Sequence, residues 1–335
     1  MSKTVAIVGA TGAVGEEFFR ILEQREFPVG ELRAFSSPRS EGKKLKFGDR
    51  EVTVQTLSAE AFKGVDIALF SAGGSISKEW CPIAAEAGAR VIDNSSAFRM
   101  DESVPLVVPE VNMDAIKDEH RIIANPNCTT ILLAVVLGPL HKKYGVKRGT
   151  VATYQAASGA GLKAMEELRE QSRKVLDNEP VAAEIFPAPL AFNLIPHCDV
   201  FLEDGYTREE AKVLRESRKI LSDPELKLGV TAVRVPILRA HSEAVHLELG
   251  QEFSLEELRE FIGEQPGVRV LDRPAPGGYP MPCLASNHDN VIVGRMRRDP
   301  TFDNGLAFFI AGDQIRKGAA LNAVQIAEKL IEAEG

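Results

Sequence analysis

The chain has no block of five basic residues, no apolar run long enough to cross a bilayer, and no paired cysteines. Each absence excludes something. The net charge is −8 over 335 residues, and the densest cationic cluster is only Lys43, Lys44 and Lys46. That cluster reads as a solvated turn, so a nucleic-acid partner is not expected. A membrane span needs roughly 18 consecutive apolar residues, and none is present, so no membrane partner is expected either. MSKTVAIVGA at the amino terminus runs straight into a strand pattern without an h-region, and no signal peptide is expected. Cys81, Cys128, Cys198 and Cys283 lie far apart, with neither CxxC nor a Cys/His spacing. A disulfide framework and a metal site are therefore not expected, and the cysteine usage fits a reducing cytoplasm. No repeat or low-complexity tract stands out.

What is present suits one large domain or two ordinary ones. Hydrophobic residues make up 44% and charged residues 26%, as in common globular chains. The first third alternates strand and helix patterns. TVAIVG (4–9) is continuously apolar, as a strand buried on both faces requires. A helix over 14–25 follows, with Val14, Phe18, Phe19 and Leu22 on one face. Further strands are expected near 31–36, 51–56, 65–70 and 90–94, with a helix near 77–88. This alternation predicts an α/β, Rossmann-like doubly wound parallel sheet.

Beyond residue 127 the pattern changes. Helices are expected at 129–143, 162–176 and 207–222, with strands at 148–156, 228–237, 243–250, 290–296 and 305–312. The proline- and glycine-rich stretch 272–288 reads as loop, and a last amphipathic helix covers 318–333. The expected division is a dinucleotide-binding domain, 1–127 plus 318–335, and an α+β domain on a mostly antiparallel sheet, 128–317.

The turn after the first strand is Gly9-Ala10-Thr11-Gly12-Ala13-Val14-Gly15. Glycines there allow a tight turn and close approach of a pyrophosphate, and the following helix offers its free N–H groups to the anion. GxxGxxG is weaker than GxGxxG, but its place between a buried strand and an amphipathic helix favours a dinucleotide. The second strand ends in Ser36-Ser37-Pro38-Arg39-Ser40 rather than in the carboxylate of an NAD site. Hydroxyls beside an arginine suit a 2′-phosphate, so NADP is the expected cofactor. Small residues at Ser71-Ala72-Gly73 let a cofactor lie close to the sheet edge.

Two residues are candidates for chemistry. Cys128, in NPNCTT, stands at or just before a helix amino terminus, where unpaired N–H groups favour a thiolate and could stabilise an oxyanion. On position alone, a nucleophile and an inert small hydrophobe are equally good readings. His241 shares strand parity with Val245, Leu247 and Leu249 and is expected on the buried face, whereas His246 is expected to face solvent. A lone histidine on an apolar face is more often a core residue than a catalyst.

Ten stretches, in order from residue 5 to 328, resemble the aspartate-β-semialdehyde dehydrogenase family. Among them are VAIVGATGAVG, FSSPRSEGKKLKF, DNSSAFRM, NPNCTT, TYQAASGAG, VRVPILRAHSEAVHLE and KGAALNAVQIAE. The resemblance implies Cys128 as nucleophile, His241 as general acid/base and Gln155 as the residue that orients the substrate. It also implies Arg234 for the substrate α-carboxylate, Glu216 for the α-ammonium, Lys219 with Arg99 for phosphate, and Asn127 near the phosphate and oxyanion. On spacing alone, Glu216 and Lys219 would be a solvated i,i+3 pair. Cofactor contacts are implied at Gly9, Thr11, Gly12, Ala13, Val14, Ser36, Ser37, Arg39, Ser40, Ser71, Ala72, Gly73, Ser158, Gly159 and Asn322. The implied reaction forms a Cys128 thioester with loss of phosphate, takes a hydride from NADPH, and releases an aldehyde. A homodimer joined through the second-half sheet is also expected. Two rival readings stand beside this one. One is an N-acetylglutamyl-phosphate reductase, whose acylated substrate needs no carboxylate for an ammonium. The other is a non-catalytic NADP-binding regulator.

Overall fold

A computed structural model describes residues 2–334. The chain divides into two compact units, Met1–Asn127 with Gly318–Gly335, and Cys128–Lys317.

In the first unit, β1 (Lys3–Val8), α1 (Ala13–Gln24), β2 (Val29–Phe35), β3 (Lys44–Phe47), β4 (Arg50–Gln55), β5 (Ile67–Phe70), α2 (Gly74–Glu86), β6 (Arg90–Asp93), α3 (Pro109–Asn112) and β7 (Ile122–Ala124) follow in chain order. The seven-stranded sheet runs β3-β4-β2-β1-β5-β6-β7. Its pairs are parallel except for the β3–β4 edge hairpin. The apolar run Val5–Val8 of β1 has a partner on each face. Val5 and Ile7 join a core with Phe18, Ile21 and Leu22 of α1 and with Val324 and Ile326 of the final helix, Leu321–Glu334. Ala6 and Val8 enter a second core with Phe62, Phe70, Cys81 and Ala84 on the opposite face. Both faces are covered, as a doubly wound sheet demands. The lysine cluster, expected as a turn, is instead the solvent side of edge strand β3, where Lys44 and Lys46 are exposed. Charged side chains at a sheet edge discourage pairing with other chains.

The second unit begins with α4 (Cys128–Tyr144), followed by β8 (Val146–Gln155), α5 (Leu162–Leu176), α6 (Arg208–Leu221), β9 (Lys227–Arg234), β10 (His241–Leu249), α7 (Leu255–Gly263), β11 (Val268–Val270), α8 (Pro282–Ala285), β12 (Val291–Arg298) and β13 (Gly305–Gly312). Its six-stranded sheet has the order β11-β12-β13-β10-β8-β9. The sheet is mostly antiparallel, as expected: β10 pairs antiparallel with both β8 and β13, and β12 with β13, while β8–β9 and β11–β12 are parallel. Helix α4 is buried on all sides along most of its length. Every residue from Thr129 to Gly138 is buried, which marks a central core helix rather than a surface one. Helix α6 starts on a capping box: Thr207 Oγ1 accepts from the Glu210 N–H at 3.3 Å, and the Glu210 carboxylate accepts from the Thr207 N–H at 2.6 Å.

Among the described residues no helix is long and apolar enough to cross a membrane. No cluster of three or more His, Cys, Asp or Glu among them could hold a metal ion.

Candidate active site

A cleft of about 550 Å³ opens in the first unit between the ends of β1 and β5, where strand order reverses. Open α/β sheets bind ligands at that switch point. Gly9, Thr11, Gly12, Ser36, Ser37, Ser71 and Ala72 line the cleft, with Trp80, Leu57 and Ile76 adding apolar wall that sequence reasoning missed. The glycines have separate jobs. Gly9 has φ +91°, and a Cβ there would meet Ser71 O at 2.3 Å; a Cβ on Gly15 would meet Gly9 O at 2.1 Å. Gly12 has no such crowding, its nearest neighbour lying 3.4 Å away, so its missing side chain leaves room toward the cleft. It is also the N-cap of α1 and provides no side-chain acceptor for the first-turn N–H groups, which suits an anionic ligand. Thr11 Oγ1 lies 2.7 Å from Ser36 Oγ and 3.4 Å from buried Ser40 Oγ. Among the described residues no carboxylate lines the cleft. Arg39 is exposed on the turn after β2, Ala13 and Val14 open α1, and Gly73 caps α2 at φ +90°. The residues present therefore fit a dinucleotide, and a phosphorylated ribose better than a plain one.

The second unit gathers a different set at one end of its sheet. Gln155 and Arg234 end parallel strands and are register partners, and His241 begins the neighbouring antiparallel strand, one step beyond the Ser242–Tyr154 pair. Strand parity turns all three toward the face covered by α4 and α6. Cys128 is the first residue of α4 and only half-buried. The next residue, Thr129, is joined to Gln155: Gln155 Nε2 lies 2.5 Å from Thr129 Oγ1 and donates to Glu209 Oε1 at 3.1 Å. Arg234 Nη1 donates to Ala156 O at 2.6 Å. A Cβ on Gly159 would approach Arg234 Nη1 to 2.8 Å and His241 Nε2 to 3.1 Å. Only glycine leaves those two groups their present positions.

His241 is buried, and its Nδ1 accepts from the Ala156 N–H at 3.0 Å. The neutral ring therefore carries its proton on Nε2, the nitrogen near Gly159 and Arg234. Burial and then the Arg234 charge hold the His241 pKa well below the usual histidine value, against a smaller opposing contact with Ala240. Ala240 has φ +73°, a strained conformation for a residue with a Cβ. Its N–H donates to Gln314 Oε1 at 2.9 Å, and Gln314 Nε2 donates to the Ser158 hydroxyl. Gln314 thus braces the approach to His241, and sequence reasoning gave no sign of it.

A semialdehyde dehydrogenase NAD binding domain model matches residues 4–119, and a semialdehyde dehydrogenase dimerisation domain model matches 137–317. An aspartate-semialdehyde dehydrogenase of Aquifex aeolicus is 54% identical, with 99% of each chain covered. The chain belongs to the aspartate-semialdehyde dehydrogenase family. The Bacillus subtilis aspartate-semialdehyde dehydrogenase is 47% identical, with 97% of this chain and 96% of that one covered. The crystal structure of aspartate semialdehyde dehydrogenase II from Vibrio cholerae, complexed with ASA, superposes with a TM-score of 0.96 at 44% identity, covering 99% of both chains. The Candida albicans enzyme, solved with NADP, gives a TM-score of 0.76 at 25% identity, with 98% of both chains covered.

The fold of an aspartate-semialdehyde dehydrogenase sorts the remaining expected residues. Arg99 is buried in the first unit, where Nε and Nη2 donate to the carbonyls of Asn125 and Asn94, each at 2.9 Å. Asn127 is buried at the end of the same unit. Asn322 does not line the cleft. It is fully buried, donating to Val107 O at 2.9 Å and Asn125 Oδ1 at 2.7 Å, and so bonds the final helix to the strand ends. Ser158 and Gly159 lie in the second unit beside Gln314, Arg234 and His241.

Helix α6 calls for a correction. Its inner face carries Glu209, Glu210, Val213, Glu216, Ser217 and Ile220, so the solvated-pair reading of Glu216 fails. Yet the carboxylate that meets Gln155 is Glu209. Glu216 stands two turns further along, about 10 Å down the axis. Lys212, at the i,i+3 position from Glu209, bonds Glu209 Oε2 at 3.2 Å and Asp199 Oδ2 at 2.8 Å. Two near-identical acid–base spacings occur on one helix, and only the packing distinguishes them. His246, expected in solvent, is half-buried with its Nδ1 2.6 Å from Asp299 Oδ2.

One buried acid was also missed. Glu243 lies two residues beyond His241 on the same inner face, is fully buried, and has no hydrogen-bond partner for either carboxyl oxygen among the described residues. Burial pushes its pKa well above the usual carboxylate value, so the folded chain keeps it neutral after the unfolded chain has lost that proton. Stability is then fully retained below the unfolded pKa of about 4.5 and declines as pH rises above it toward the folded value. Glu243→Gln cannot ionise and removes this decline. Its Tm should gain on wild type between pH 5 and 8, by about 2–4 °C for each kcal/mol recovered. Parallel Tm–pH curves from calorimetry would contradict a neutral Glu243.

Proposed function

We propose that the chain catalyses the reversible NADP-dependent conversion of L-4-aspartyl phosphate to L-aspartate 4-semialdehyde and phosphate, with Cys128 as the covalent carrier. The observation that carries this reading is the single row formed by Gln155, Arg234 and neutral His241, tied through Thr129 to the cysteine at the start of α4. The Cys128 thiolate attacks the acyl carbon and phosphate departs with the electron pair of its bond, leaving a thioester. Bound NADPH supplies the hydride that reduces it. The Nε2–H of His241 donates to the oxygen on the reacting carbon. The carbon–sulfur bond then breaks, returning the electron pair to Cys128 and freeing the aldehyde.

Arg234 pairs with the substrate α-carboxylate. Glu209, beside Gln155, takes the α-ammonium role in place of Glu216, and Lys212 replaces Lys219 as its cationic neighbour. Arg99 and Asn127 retain the proposed phosphate role. A carboxylate reserved for an ammonium favours the aspartyl substrate over an acetylated one. Phosphate-dependent NADP⁺ reduction with aspartate semialdehyde, measured beside the N-acetylglutamyl aldehyde, tests the reading. Preference for the acetylated aldehyde defeats it, and NADPH binding without any turnover would point to a regulator.

For the cofactor, Arg39 beside Ser36, Ser37 and Ser40 would hold a 2′-phosphate by charge-assisted hydrogen bonds worth about 1.5–3 kcal/mol. Arg39→Ala should therefore raise the Kd for NADP by about 10–100-fold and leave that for NAD nearly unchanged. Equal losses for both would remove the argument.

We also propose a homodimer working in the cytoplasm. The buried parity of residues 228–250 faces inward under α4 and α6, which leaves the opposite face of the second-unit sheet, with exposed Tyr154 packed on half-buried Phe309, for the expected contact. Exposed Phe192, Leu194, Phe201 and Tyr206 in the second unit, within the stretch matched by the dimerisation-domain model, provide apolar surface of the kind partners cover.

A further inference from the structure

Two adjacent rows of the second sheet hold a set of buried oxygens that the fold leaves without partners. In the upper row Gln155 gives its Nε2 to Thr129 and Glu209, while its Oε1 is buried without a hydrogen bond among the described residues. A carboxylate only accepts, so Glu209 fixes which end of the amide is the nitrogen. In the row beneath, Glu243 of β10 is the register partner of Thr153 of β8. Thr153 Oγ1 and both Glu243 oxygens are likewise buried without hydrogen bonds among the described residues. All four atoms face the side covered by α4 and α6.

Unsatisfied buried oxygens each cost about 1–3 kcal/mol, and four in neighbouring positions are not scattered packing faults. Acceptors cannot satisfy one another. The set needs donors, and Thr153 and a protonated Glu243 each offer a hydroxyl to it. We propose that Glu243 and Thr153 hold a buried water that donates to Gln155 Oε1, making Glu243 a positioning residue for the reacting row. A water with two to four polar partners is the usual occupant of such a site, and it bridges where side chains do not reach. Glu243 takes part as a neutral acid: its hydroxyl donates to the water, and its carbonyl oxygen accepts. The titratable groups on the elements around this face include His241 on the same strand, Cys128 on α4, Arg234 on β9, and Glu209, Glu210, Lys212, Glu216 and Lys219 on α6. None of them is a hydrogen-bond partner of Glu243.

The inference rests on the proposed role of Gln155 in the semialdehyde reaction, so wild-type turnover is measured first. Absence of phosphate-dependent turnover defeats that reaction, whereas the water's role is judged only on variants of an active enzyme. Glu243→Met keeps the volume and removes the hydrogen bonds. It should lower kcat/KM by about 10–100-fold in a chain that still melts in one cooperative transition. Glu243→Gln keeps a neutral donor and acceptor and should restore kcat/KM to within about threefold of wild type. Thr153→Val should lose activity in the same sense as Glu243→Met, and it carries the test if Glu243→Met fails to fold. A fully active Glu243→Met or Thr153→Val overturns the proposal. So does a Glu243→Gln as impaired as Glu243→Met, because the ionisable proton, and not the position of a neutral group, would then be what matters.

Discussion

Cys128→Ala should abolish phosphate-dependent NADP⁺ reduction by aspartate semialdehyde, an expected loss of about 10⁴-fold or more in kcat. The size follows from what is removed. Without the sulfur no thioester forms, and a hydride would have to leave from, or add to, a group that cannot hold the reacting carbon in the acyl oxidation state. The loss is confined to chemistry. Cys128 is half-buried at the start of α4, and the alanine keeps the helix propensity, so Tm should change little. The nucleotide cleft is built wholly from first-unit residues, so the Kd for NADP should stay within about twofold. Cys128→Ser retains a nucleophile of much higher pKa and should fall between the two. Of the other cysteines, Cys81 and Cys198 are buried, and burial raises both thiol pKa values, that of Cys198 to about 11. Neither can substitute. Residual activity above a few per cent in Cys128→Ala would exclude covalent catalysis at this position.

How much of this was legible beforehand depends on whether a feature is local. TVAIVG announced a strand covered on both faces because each parity is apolar by itself, and Val5–Ile7 and Ala6–Val8 do enter separate cores. The buried face of β10 followed from parity alone, and His241 lies on it. Position before an apolar run placed Cys128 at a helix start. What failed was non-local. The parallel β8–β9 pairing that sets Gln155 beside Arg234 is decided by tertiary packing and leaves no mark on either strand. In TREEAK a capping box and a buried carboxylate overlap. Glu210 closes the box while its neighbour Glu209 reaches Gln155, and composition alone makes both look solvated. Glu243 was passed over for a similar reason: a charged residue within a strand reads as outward-facing, and only complete burial reveals it as a neutral acid.

His241→Asn should lower kcat by about 10²–10⁴-fold, the range for loss of a positioned proton-handling group. Asparagine retains an N–H donor but not the ring geometry that puts Nε2 beside Gly159 and Arg234 while Nδ1 is held by the Ala156 N–H. His241→Ala, with no donor at all, should be slower still. The pH dependence is the sharper test. Burial first and the Arg234 charge second depress the His241 pKa well below 6.5, so the ring is already neutral near pH 7. Its titration therefore places no limb in the rate profile between pH 6.5 and 8. Activity dependent on His241 falls only at lower pH, as the ring gains a second proton on Nδ1 at the expense of the Ala156 bond. Stability carries the same sign. The unfolded histidine takes up a proton below about 6.5 and the folded one resists, so the stabilising effect is full above that pH and is lost as pH falls toward the folded pKa. The Tm of wild type should drop more steeply than that of His241→Asn below pH 6.5, and the two curves should run parallel above it. A rate limb near pH 7 that disappears in His241→Asn would mean that the ring titrates near neutrality, and that burial and Arg234 do not control its proton.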